Sequence, residues 1–103
     1  RFAEFFGASI RNTNTRTAYL RAAAKFFAWT EERGLRLEAV RPLHVAGYVE
    51  QLCREFSAPT VKQNLAGIRM LFDYLVTGGV LEMNPAAAVR GPRYSAKKGK
   101  TPV

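Results

Sequence analysis

A single cysteine, a single histidine and a single tryptophan occur in 103 residues, and acids are scarce, with eight Asp and Glu against sixteen Lys and Arg. One cysteine, Cys53, excludes an internal disulfide and suits a reducing compartment; in its apolar helical setting it reads as a small core residue. His44 has no Cys or His partner at metal-ligand spacing, so a satisfied or solvent-facing histidine is the expected role and neither metal nor cofactor is expected. No glycine-rich phosphate loop is present, and Glu31 and Glu32 read as a solvated helix end rather than an acid–base pair. The chain by itself is therefore expected to be non-catalytic. No apolar run reaches the length of a membrane span and no signal-peptide pattern opens the chain, which leads to a cytoplasmic expectation.

What remains is a helical, basic domain. Hydrophobic residues make up 48% of the chain, enough for one modest core, and the formal charge of +8 favours a polyanionic partner without bearing on the fold. The excess is uneven. Arg90, Arg93, Lys97, Lys98 and Lys100 stand in the last stretch without an acid among them. "GPRYSAKKGKTPV" has Gly and Pro, no periodicity and no core-forming pattern, so residues 90–103 read as a basic linker, cut short, and residues 1–89 as the folded domain.

Helical periodicity recurs along residues 1–89, and no credible strand or internal repeat interrupts it. "RFAEFFGAS" sets Phe2, Phe5 and Phe6 on one side of a short helix that would close over the core; its abrupt start suggests a piece of a longer chain. A long helix runs from about Thr13 or Asn14 to Arg33, with Tyr19, Ala23, Phe26, Phe27 and Thr30 on one face and Gly34 as its left-handed stop. The next opens at Pro42, carries Val45, Tyr48, Val49 and Leu52, and ends near Glu55. A further helix begins at "SAPT" and keeps Val61, Leu65, Ile68, Phe72 and Leu75 on one face until Gly78 and Gly79. "NPAAAV", with Asn84 as N-cap and Pro85 in the first turn, announces a short last helix. The expectation is an all-α fold, a compact bundle of four to five helices.

Two polar groupings bear on function. The helix after "SAPT" leaves one uncharged face of Thr60, Gln63, Asn64 and Gly67 and another of Lys62, Ala66, Arg69 and Asp73. Gln and Asn amides can meet a base edge, Gly67 would allow close approach, and Lys62 would reach a flanking phosphate; an ordinary hydrated helix face is the alternative. The start of the first long helix holds Thr13, Asn14, Thr15, Arg16 and Thr17, although one such residue suffices for a cap, at roughly 1 kcal/mol. The surplus, joined to the free N–H groups and the positive end of the helix dipole, suits a phosphate clamp.

The ordered set "NTRTAYLRAAAKFFAW", "SAPTVKQNLAGIRMLFDYLV" and "GGVLEMNPAAAVRGPR", followed by a basic linker, resembles the core-binding, SAM-like domain of the tyrosine recombinases, the family of phage integrases and Xer-type recombinases. The resemblance covers nearly the whole chain. It implies a domain on one side of duplex DNA, a separate C-terminal catalytic domain on the other, and action as a tetramer in DNA recombination and integration. It also implies DNA contacts at Thr15, Arg16 and Thr17, at Thr60, Lys62 and Gln63, and a backbone contact at Arg69. Asn64 joins them on the same helix, and Arg90, Arg93, Lys97 and Lys98 belong to the linker. The family's nucleophilic tyrosine would lie beyond Val103, so Tyr19, Tyr48, Tyr74 and Tyr94 are not candidates for it.

Two other readings stay open. A helical transcription regulator would also be basic, but should carry a helix-turn-helix pair with a three- to four-residue turn. A protein-interaction module should show an exposed apolar patch and little salt-sensitive DNA binding.

Overall fold

The computed structural model describes residues 12–92. Among them are three α-helices, α1 (Thr13–Glu32), α2 (Pro42–Glu55) and α3 (Ala58–Thr77), with a short 3₁₀ turn at Leu37–Ala39 between the first two. No strand occurs among the described residues. The expected opening helix with Phe2, Phe5 and Phe6 lies outside them.

Helix boundaries follow from local chemistry. Asn12, one residue earlier than the sequence suggests, caps α1: its Oδ1 accepts from the backbone N–H groups of Asn14 and Thr15 at 2.9 and 3.1 Å. At the other end Gly34 takes φ 62°, its N–H donates to Glu31 O, and the Leu35 N–H donates to Thr30 O. This reciprocal pair satisfies carbonyls that a helix terminus otherwise leaves open. α3 ends the same way, with Gly79 at φ 79°, its N–H on Val76 O and that of Val80 on Leu75 O.

α2 starts with Pro42 in its first turn, and His44 supplies the cap contact. The Arg41 N–H donates to His44 Nδ1 at 2.9 Å, which gives the lone histidine a structural role. Only Phe56 and Ser57 separate α2 from α3. Phe56 remains partly exposed, and the Lys25 ammonium lies 4.5 Å from its ring centre.

One ring from each helix forms the centre of the core. Phe26 of α1 meets Tyr48 of α2 and Phe72 of α3 edge-on, at 5.1 and 5.8 Å between centroids, and stacks on Trp29 at 5.7 Å. Such arrangements add about 0.5–1.5 kcal/mol per pair beyond area burial. Trp29 donates its indole N–H to Gln51 Oε1. The expected apolar positions of α2, namely Val45, Tyr48, Val49 and Leu52, are all buried, as are Val61, Leu65, Ile68 and Phe72 of α3. Cys53 is exposed, against the expectation of a core position, because it falls outside the stripe that those α2 residues present to the core.

The short last helix does not form. Residues 85–88 make a turn in which the Ala87 N–H donates to Asn84 O and the Val89 N–H to Ala86 O. Asn84 does cap this turn, accepting at Oδ1 from the Ala86 N–H at 2.8 Å. Extension stops because Arg69 on α3 takes the carbonyls of Ala86 and Val89, and Pro92 disfavours helical geometry at Gly91. The described part of the bundle thus has three helices rather than four or five.

Candidate DNA interface

The polar grouping on α3 divides once α1 packs against it. Gly67 is buried at the crossing of the two helices, where a Cβ would stand 2.9 Å from Ala22 Cβ, 3.0 Å from Tyr19 O and 3.2 Å from Tyr19 Cα. The glycine thus admits the backbone of α1, not a base pair. Asn64, one turn before it, is only 7% exposed, and its Nδ2 donates to Thr60 O at 2.9 Å. Asn64 and Gly67, which the sequence groups with Thr60 and Gln63 on one polar face, are thus both buried.

Gln63 and Lys62 are exposed, and the Gln63 side chain makes no hydrogen bond to another described residue. Thr60 is half-buried, and its Oγ1 accepts from the Ser57 hydroxyl at 3.2 Å. On α1, Thr15 and Arg16 are half-buried and Thr17 is exposed. Arg16 donates from Nη2 to Thr13 Oγ1 at 3.2 Å, while its Nε is buried without a partner. Because Asn12 alone serves as the cap, the five residues from Thr13 to Thr17 remain surplus to capping, as the sequence suggests.

Both clusters lie on the N-terminal side of one crossing point. Thr15 to Thr17 precede Tyr19 by no more than about one turn, and Thr60 to Gln63 precede Gly67 by about one to two turns, so each cluster sits within roughly 10 Å, along its helix, of the place where the backbones touch.

Arg69 has a task that the sequence did not disclose. Its Nε donates to Ala86 O at 3.2 Å and its Nη2 to Val89 O, so the guanidinium ties the segment after α3 back onto that helix. Asn84 completes the tie, donating from Nδ2 to Arg69 O at 3.1 Å and to Asp73 Oδ1 at 2.8 Å. Residues 11 to 20 positions apart are involved, and no periodic pattern signals such a contact; the only hint is that Arg69 and Asp73 share a face. Arg90 is exposed at the end of this segment, and Arg93, Lys97 and Lys98 lie outside the described residues.

Among the described residues there is no group of three or more His, Cys, Asp or Glu that could hold a metal ion, and no helix is long and apolar enough to cross a membrane. Tyr48 is buried in the core with its hydroxyl unpartnered, so it has the surroundings of a packing residue.

Over 79 residues the chain is 30% identical to tyrosine recombinase XerC of Thermodesulfovibrio yellowstonii, an alignment that takes in 76% of this chain and 25% of that protein. The chain thus spans a quarter of the length of that relative. No solved structure gives a significant match. The match of residues 5–79 to the phage integrase N-terminal SAM-like domain takes in all three helices but for nothing of their length, and the chain belongs to that family.

Proposed function

We propose that the chain is the DNA-binding, non-catalytic part of a tyrosine site-specific recombinase. The observation that supports this most is that Lys62 and Gln63 of α3 stay exposed while Gly67, on the same helix, packs on α1, whose start carries the surplus hydroxyls and Arg16. Thr15, Arg16 and Thr17 act on phosphates, where side-chain hydroxyls, the helix dipole and a guanidinium all favour an anion. Gln63 acts on a base edge, Lys62 on a phosphate beside it, and Thr60 flanks both. The basic stretch from Arg90 through Arg93, Lys97 and Lys98 runs along the backbone towards a separate catalytic domain. In the whole protein that domain would cut and rejoin duplex DNA through a covalent phosphotyrosine, as one protomer of a tetramer in the cytoplasm, with no metal or nucleotide cofactor.

Binding to a duplex followed across a salt series tests this reading. If about five to seven phosphates are neutralised, log K against log salt has a slope of roughly −4 to −6. Gln63→Ala should reduce discrimination between sequences by about 1–3 kcal/mol, while Lys62→Ala should weaken all duplexes alike. Affinity indifferent to salt would sink the proposal and favour a protein-interaction module.

A further inference from the structure

Lys62, Leu65, Arg69, Arg90, Gly91 and Pro92 line an open cleft of about 630 Å³ between α3 and the segment that follows the Asn84 turn. Three of the six carry a positive charge and none carries a negative one. Asp73, one turn further along α3, lines the adjoining cleft instead and is engaged by Asn84. We propose that the cleft seats one backbone phosphate of duplex DNA, held by Arg69, Arg90 and Lys62; this rests on the DNA-binding reading above and gives it a defined anion site.

The arrangement favours a phosphate for three reasons. First, a guanidinium has five N–H donors, and Arg69 commits Nε and one N–H of Nη2 to the carbonyls of Ala86 and Val89, so three remain. Those two bonds also fix the plane of the group, so less side-chain freedom is lost when an oxyanion arrives. Second, Arg69 and Arg90 both line the cleft with no acid among its described lining residues, and a bound anion relieves the repulsion between them. Arginine forks also match the paired oxygens of a phosphodiester. Third, Gly91 adds no side chain to the lining of the cleft. A Cβ at Gly91 would stand 3.4 Å from Lys62 Cγ and 3.5 Å from Leu65 Cδ2, so any longer side chain there would grow against the lining itself. Arg69 is then both strut and ligand: the contact that folds the 84–90 segment onto α3 also orients the donors that meet the phosphate.

Two variants separate charge from space. Arg90→Gln removes one cation that holds no described partner, and Gly91→Val narrows the cleft without altering charge. Lys25→Gln, at the Phe56 ring far along α1, controls for net charge. With one duplex and a salt series, Arg90→Gln and Gly91→Val are each expected to weaken binding several-fold, and loss of the phosphate contact should flatten the slope by about 0.9, whereas Lys25→Gln leaves it nearly unchanged. Thermal melts of the same proteins check that the variants fold. Inorganic phosphate at constant ionic strength, followed by NMR of the arginine side chains, tests the other source of the same chemistry. Failure of the unaltered chain to bind duplex overturns the functional reading as a whole. Salt-sensitive binding that both variants retain overturns the cleft alone, as does a site that takes inorganic phosphate while duplex binding ignores both substitutions.

Discussion

Gly67 lies against Tyr19 so closely that the backbones of α3 and α1 touch: a Cβ on Gly67 would stand 3.0 Å from the Tyr19 carbonyl oxygen and 2.9 Å from Ala22 Cβ. Neither helix can yield without disturbing the Phe26–Phe72 contact further along. Gly67→Ala gains about 1 kcal/mol of helix propensity but forces an overpacked contact costing typically 1–3 kcal/mol. A net loss is expected in a urea melt, partly recovered by Ala22→Gly in the same chain. Equal or greater stability of Gly67→Ala would show that the helices part freely.

Tyr48 gives the domain an alkaline weakness. Burial, with Glu55 adding to it, pushes the phenol from its usual 10 up to about 12. Between these values the unfolded chain releases a proton that the folded chain retains, so stability is unaffected by this group below pH 10 and falls as pH rises towards 12, by roughly 2 kcal/mol. Its hydroxyl has no hydrogen-bond partner, so Tyr48→Phe should match or slightly exceed the original stability at neutral pH. The variant should also lack that part of the alkaline loss. Denaturant melts at pH 7, 10 and 11.5 make the comparison, and a loss above about 1 kcal/mol at pH 7 would mean that the hydroxyl has a partner.

Arg69 carries the segment from Asn84 to Arg90. Arg69→Met keeps the apolar stem but removes both donations to the Ala86 and Val89 carbonyls, and hydrogen bonds from a charged group contribute about 1.5–3 kcal/mol. A loss of this order is expected, with faster amide exchange at Ala87 and Val89 than in α1 or α2. Unchanged exchange there would show that the buried Ala86 and Val89 side chains hold the turn unaided.

At the start of α1, stability and DNA binding should separate. Asn12→Ala removes the acceptor of two backbone N–H groups and should cost about 1 kcal/mol. Thr17→Ala, at an exposed position, should change stability by less than about 0.5 kcal/mol yet weaken duplex binding. Paired melts and binding titrations decide it; a Thr17→Ala variant with unaltered affinity would leave the surplus hydroxyls without a role.

The helices were legible in the sequence because their causes are local. Apolar spacing in α2 and α3, Pro42 in a first turn, and Gly34 and Gly79 at φ values that side chains resist are read within a few residues of where they act. Charge was equally legible, since Lys62 and Arg90 need no fold to be basic. Tertiary structure alone decided which polar residues stay outside. Asn64 and Gly67 looked like part of a hydrated or base-reading face, yet both are buried and Gly67 is the ground on which α1 rests, because a glycine that invites DNA and one that invites a helix are the same residue in sequence. The last helix was lost for a related reason: Asn84, Pro85 and three alanines favour it locally, but Arg69, fifteen or more positions earlier, captures the carbonyls on which a helix would have continued. Periodicity reports what a segment prefers by itself, and such long-range hydrogen bonds and backbone contacts arise only when the helices meet.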